Sequence, residues 1–253
     1  DGAVGYSNRS GWNGGVALAN VVAVLPGLPP LKAPLVNTGI TGDRIRVYPT
    51  DVETTWEGKL RVGADYFPSS RNVNALMTAD AVPVDSLNKL ISAWFGPAPA
   101  LRVFTTGQLS GQMRYIHEAS VDPQWSGQFQ LAKGSLAIPD LAAPVSQLSG
   151  RFAFNNRELD ATHLNAMLGN RQITGEYHYN ASAVRPERVR LELPVADLAE
   201  CEQALEPVLR SQGFLARLRF GRRTLPAWLQ NRNLEGDVEV NRLVINGEPI
   251  GRL

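Results

Sequence analysis

The sequence predicts a mainly β protein, built from repeated antiparallel strands that form a long curved sheet or open groove, with short helices between repeats. Three observations carry this prediction. Apolar and polar residues alternate with a period of two over most of the chain. Helical periodicity is confined to two short stretches. Glycine-led landmarks recur at a step of roughly 110 residues.

The alternation is clearest between Lys59 and Tyr66, where Leu60, Val62, Ala64 and Tyr66 oppose Lys59, Arg61 and Asp65. Next, Val73, Ala75, Met77 and Ala79 oppose Asn72, Asn74 and Thr78. Phe129 and Leu131 share a face until the phase slips at Lys133-Gly134-Ser135 and resumes at Leu136 and Ile138, which predicts a β-bulge. Phe152 and Phe154 share a face within Gly150 to Phe154. Ile173, Tyr177 and Tyr179 oppose Thr174, Glu176 and His178; Val189, Leu191, Leu193 and Val195 oppose Arg188, Arg190 and Glu192. Val238 and Val240 alternate with Asp237, Glu239 and Asn241, and Leu243 to Ile245 runs into Asn246-Gly247, a strong hairpin signal. Each strand thus has one apolar and one polar side.

The two helical stretches follow "PVDSL" and "PVADL", at about 86–95 and 198–210, with Asp85 and Asp197 placed to cap their first turns. "LRVFTTGQLSGQMRYIHEA" (Leu101 to Ala119) predicts a further strand after the first helix; "FLARLRFGRRTLPAWLQNR" after the second is less regular.

The repeat is visible in "GWNGG", "QWSGQ" and "NLEGD", whose glycines fall at Gly14, Gly127 and Gly236 (127 − 14 = 113; 236 − 127 = 109). Pro26 and Pro139 are 113 apart, and Asp85 and Asp197 are 112 apart. The organisation predicted is a first β repeat over 1–123, a second over 124–232 and the start of a third, truncated repeat over 233–253. The start at Asp1 and the incomplete third copy suggest a segment cut from, or processed out of, a longer protein.

Composition narrows the function. The chain has 253 residues, enough for one large β domain or two ordinary ones, and 43% hydrophobic residues, too many for a disordered chain. The formal net charge of +1 gives no support to a nucleic-acid groove, so no nucleic-acid partner is expected. One cysteine, Cys201, rules out an intrachain disulfide and reads as a structural thiol on the second helix. No apolar run reaches the 18 residues that a membrane-spanning helix needs.

No catalytic set emerges. His117, His163 and His178 lack helical metal-ligand spacing, and Glu176 with His178 reads as part of a solvated strand face. No GxSxG nucleophile elbow, dinucleotide fingerprint or P-loop is present; "GWNGG" reads as a turn before a strand. The expectation is therefore a non-enzyme with no cofactor and no metal. Arg185, Arg188, Arg190 and Arg222-Arg223 read as a charged outer face that keeps the sheet soluble, with contact to lipid phosphates as the alternative. Trp12, Trp56, Trp125 and Trp228 read as packing residues at strand or turn boundaries.

Three stretches carry a family resemblance: "LEGDVEVNRLVINGEPI", "GSLAIPDLAAPVSQLSGRFAFNNRELDATHLNAMLGNRQITGEYHYN" and "RPERVRLELPVADLAECEQAL". Their pattern of glycines, alternating strands and an Asp-Leu helix start resembles the AsmA-like group of Gram-negative envelope proteins, relatives of TamB-type and other bridge-like lipid transfer proteins. The first copy matches less well, especially over Leu25 to Leu35, and no membrane anchor is present in this sequence. The resemblance implies a periplasmic protein tethered to the inner membrane, whose β groove moves phospholipid toward the outer membrane. Its implied partners are phospholipid acyl chains, with inner- and outer-membrane proteins as further candidates.

Under that reading the groove is lined by Leu60, Val62, Tyr66, Val73 and Met77 in the first repeat. In the second it is lined by Phe129, Leu131, Phe152, Phe154, Ile173, Tyr177, Tyr179, Val189, Leu191 and Leu193, and in the third by Val238 and Val240. The alternative is a closed β-sandwich or barrel, a carbohydrate- or protein-binding module whose apolar faces form a dry core.

Overall fold

The computed structural model describes residues 1–7, 11–25, 27–95, 104–138, 142, 144–197, 199, 203, 233–245 and 248–250. In chain order the strands are β1 (Gly2–Ser7), β2 (Gly11–Ala23), β3 (Leu31–Thr41), β4 (Arg44–Val52), β5 (Lys59–Phe67) and β6 (Asn72–Pro83). A helix, α1 (Val84–Phe95), precedes β7 (Phe104–Glu118), β8 (Val121–Leu136), β9 (Val145–Asn155), β10 (Glu158–Leu168), β11 (Arg171–Asn180) and β12 (Glu187–Leu193). Short strands follow: β13 (Ala196–Asp197), β14 (Leu234–Val240), β15 (Leu243–Ile245) and β16 (Glu248–Ile250).

One 13-stranded sheet takes β1 to β12 in sequence order and ends on β14, while β13, β15 and β16 form a small second sheet. From β1 to β7 and from β10 to β12 neighbouring strands of this sheet pair antiparallel, and β14 joins β12 in parallel. The large sheet is open, with β1 and β14 at its two ends. This corrects the alternative of a closed barrel: strands that follow one another through short turns extend a sheet edge by edge, and among the described residues no pairing joins the first strand to the last.

Local chemistry explains the turns. The link from β3 to β4 is Gly42-Asp43, and Gly42 has φ 59°, the left-handed conformation that a two-residue hairpin needs. Gly169, φ 58°, serves the link from β10 to β11 in the same way. The hairpin expected at Asn246-Gly247 lies outside the described residues, but β15 and β16 on either side pair antiparallel, Ile245 opposite Glu248.

The repeat in the sequence has a counterpart in the strands. Those starting at Gly11, Leu31, Arg44, Lys59 and Asn72 are answered by strands starting at Val121, Val145, Glu158, Arg171 and Glu187, at steps from 121 − 11 = 110 to 187 − 72 = 115. A register shift between Val47 and Thr50 on β4 is answered by one between Ala161 and Leu164 on β10, 161 − 47 = 114 residues on. One difference stands out. In the first copy β7 lies between β6 and β8, whereas their counterparts β12 and β14 pair directly.

By internal contacts the chain forms two compact units. Residues 1–102, 108–130 and 153–156 make the first; residues 103–107, 131–152 and 157–253 make the second.

In the first unit, the core gathers where β6 runs into α1. Leu87 and Leu90, one helical turn apart, are 0% and 1% exposed, and Val82, Val84, Ala79 and Leu60 are buried with them. Leu60 pairs with Ala79 across the β5–β6 ladder. Burying each such aliphatic side chain contributes roughly 1.5–3 kcal/mol. Asp85 lies inside the first turn, not at the cap, because the helix begins at Val84; it pairs with Lys89 one turn on, at 3.8 Å. Thr50, the buried polar residue of this region, donates its hydroxyl proton to the Tyr48 carbonyl at 2.8 Å.

In the second unit, Leu131, Leu148, Ala161, Ala166 and Ala196 are buried. Phe104 and Phe152 meet edge to face, with ring centroids 6.0 Å apart. Lys133 has φ 54°, the backbone irregularity that the phase slip at Lys133-Gly134-Ser135 predicts. Asp197 accepts a hydrogen bond from the Ala199 backbone N–H at 2.9 Å, the geometry of a helix-capping carboxylate. Most of the helix expected over 198–210, including Cys201, lies outside the described residues, as do Arg222, Arg223 and Trp228.

Candidate functional site: two faces of one sheet

The registers sort the expected lining residues onto faces. In the first unit, Val62 opposes Met77 and Tyr66 opposes Val73. Met77 in turn opposes Met113, and Val73 opposes His117. Tyr115 on the same side packs on Trp125, with ring centroids 4.4 Å apart, and Phe129 stacks on Phe154 at 6.1 Å. Toward the β1 edge the same face carries Val4, Tyr6, Trp12 and Leu18, since Tyr6 opposes Trp12, Val4 opposes Gly14 and Leu18 opposes Val36.

Exposure divides this apolar face in two. Near α1 it is closed: Leu60 is 1% exposed and Met77 6%. Both side chains are out of water, beside the buried Ala79 that faces Leu60 across the ladder. Away from the helix the face is open. Val4, Tyr6, Trp12 and Leu18 are 44%, 62%, 54% and 48% exposed, and Tyr66 is 40% exposed. Trp12, expected as a packing residue, packs its ring on Tyr6 at 5.3 Å and is otherwise half exposed. Val62, Val73, Phe129 and Phe154 are half-buried.

In the second unit, Tyr177 opposes Val189, and Leu191 and Leu193 oppose Val238 and Val240. Tyr179 opposes Leu159, and Ile173 opposes Ala166. These residues share one side of β10, β11, β12 and β14, as the alternation predicts. Val238 is 64% exposed, Leu131 is buried at 2%, and Phe152 and the others are half-buried. Leu131, like Leu60 in the first unit, is out of water.

The opposite face is polar and internally paired. In the first unit Arg44 and Arg46 both bind Asp65, with closest distances of 2.7 and 2.8 Å. Arg61 binds Asp51 at 2.7 Å, and this guanidinium holds the Asp51 carboxyl below its ordinary value while Asp51 raises that of Arg61. In the second unit Arg185 and Arg188 reach Glu235, and Arg190 reaches Glu192 and Glu239, all between 3.5 and 3.8 Å. That pairing matches a charged outer face better than a phosphate site. His178 pairs with Asp160, and no group of three or more metal-ligating side chains occurs among the described residues.

Sequence reasoning missed a recess on this polar face. It occupies about 770 Å³ in the first unit and crosses strands β4 to β9. Its floor has small residues, Gly63, Ser126 and Ala153; its rim has Arg46, Tyr48, Leu76, Gln112, Arg114 and Gln128. The Tyr48 ring lies across Gly39, whose missing side chain leaves the space: a Cβ there would meet the Tyr48 hydroxyl at 3.0 Å. The signal available in the sequence was Gly39 and Gly63 interrupting polar strand faces, but only the register shows that four further strands bring amides to the same place.

No helix among the described residues is long and apolar enough to cross a membrane. Compared with protein-family models, with curated proteins and with solved structures, the chain matches none.

Proposed function

We propose that this chain is a segment of an AsmA-like periplasmic protein whose apolar β face carries phospholipid between the inner and outer membranes. The observation that supports it most is the exposed run of Val4, Tyr6, Trp12 and Leu18 on one side of β1 and β2. Large apolar side chains grouped on one sheet face mark a surface that something apolar covers. The sequence resemblance to the AsmA-like group supplies the class of occupant.

The physics of the task is simple. Exposing an acyl chain to water costs about 0.8 kcal/mol per methylene, so a two-tailed lipid faces a barrier of ~20 kcal/mol or more when it leaves a bilayer. A strip of Val, Leu, Tyr and Trp removes much of that barrier without binding any one lipid tightly, and a polar opposite face keeps the strip in water. No acid–base or nucleophilic group is needed.

The test is native mass spectrometry of the purified chain, together with a photo-crosslinking residue at Tyr177 or Leu191. Phospholipid that copurifies and crosslinks at these positions is the expected result. A lipid-free chain that also fails to extract labelled phospholipid from vesicles sinks the reading.

A further inference from the structure

The polar recess of the first unit is not used by lipid carriage, and its chemistry points to a ligand of another kind. We propose that it binds an extended acidic glycan, lying across strands β4 to β9. Four features carry the inference.

The first is charge. Arg44 and Arg46 share a single carboxylate, Asp65. Arg114 donates from Nε to Asn74 Oδ1 at 3.0 Å, a neutral partner, and no carboxylate among the described residues pairs with it. Two guanidinium groups, Arg46 and Arg114, therefore line the recess with one carboxylate, Asp65, which Arg44 outside the lining also pairs, a local surplus that complements an anion. Guanidinium binds carboxylate in a planar, two-pronged geometry that few other side chains provide.

The second is the donor and acceptor set. Gln112 and Gln128 stand beside Arg114, and each amide offers two donors and an acceptor on a flat group. Such groups suit neighbouring hydroxyls, each of which both donates and accepts. The third is Tyr48, 47% exposed and laid across Gly39, a flat apolar ring face against which a sugar ring can rest. The fourth is shape. The volume of about 770 Å³ is in the usual range for ligand sites, but the recess spans several strands and is wide open, so it suits a chain of residues more than a single small molecule. Nucleic acid is disfavoured, since its affinity rests on many cations and this recess has few.

The experiment titrates the full chain with tetragalacturonate, with neutral cellotetraose and tetraglutamate as comparisons, by calorimetry and by NMR of the side-chain amides. Tetragalacturonate is expected to bind, to shift the Gln112 and Gln128 amide signals, and to bind about tenfold more tightly than either comparison. Arg114→Gln and Tyr48→Ala are each expected to weaken it about tenfold, and added salt to weaken it further. The NMR shifts in the unmodified chain test the site even if a variant does not fold. The proposal is overturned if tetragalacturonate does not bind, if the Gln112 and Gln128 signals stay still, if both variants bind normally, or if tetraglutamate binds as well. Lipid extraction is independent of these outcomes, so either reading can fail alone.

Discussion

Asn20 on β2 and Lys133 on β8 both hold a left-handed backbone, each with φ 54°, and they are 133 − 20 = 113 residues apart. Neither is glycine, so each position carries a conformation that costs an ordinary side chain roughly 1–2 kcal/mol. The same irregularity thus falls at the same step as the glycine landmarks Gly14 and Gly127 of the sequence.

Lys133→Gly relieves this cost and is expected to leave stability unchanged or raise it by up to about 1 kcal/mol, while Lys133→Val lowers it by about 1–2 kcal/mol, since a β-branched residue resists positive φ most. Urea unfolding of the two variants measures the difference. Equal midpoints count against a strained bulge.

The seat of α1 predicts a large loss. Leu87→Ala removes a side chain that is 0% exposed and is expected to destabilise the chain by about 2–5 kcal/mol. Val238→Ser, at a site 64% exposed, is expected to stay within about 0.5 kcal/mol of the parent. Thermal unfolding followed by circular dichroism gives both values. A comparable loss at Val238 shows that this face is covered in solution.

The Asp51–Arg61 pair predicts a pH dependence with a fixed sign. The Arg61 hydrogen bond lowers the Asp51 carboxyl from its ordinary value near 3.8. A depressed carboxylate favours the folded state above the ordinary value, and this contribution fades as pH falls through the depressed one. Both side chains are largely exposed, so the contribution is small and shrinks further in salt. NMR titration is expected to place the Asp51 midpoint below that of an unpaired aspartate, and Arg61→Gln to return it. An unchanged midpoint in Arg61→Gln shows that the pair does not persist in solution.

Much of the molecule was legible in the chain. Leu60, Val62, Ala64 and Tyr66 fall on one side of β5, and Val189, Leu191 and Leu193 on one side of β12, because a strand turns successive side chains to opposite faces and no partner can alter that period. Asp197 accepts from the Ala199 N–H, a bond within three residues that needs no distant partner. Alternation does not encode what lies over a face. Leu60 and Met77 are buried and Trp12 is exposed although all three fall on the apolar side of their strands, a difference made by contacts between residues distant in sequence. The polar recess depends likewise on residues from six strands, and Tyr48, Gln112, Arg114 and Gln128 come together only in the assembled sheet. The sequence by itself determined the faces, the strand order's repeat and the turns, which are local; tertiary structure alone decided which apolar residues stay in water and which polar ones meet, because burial and convergence are properties of the assembled sheet.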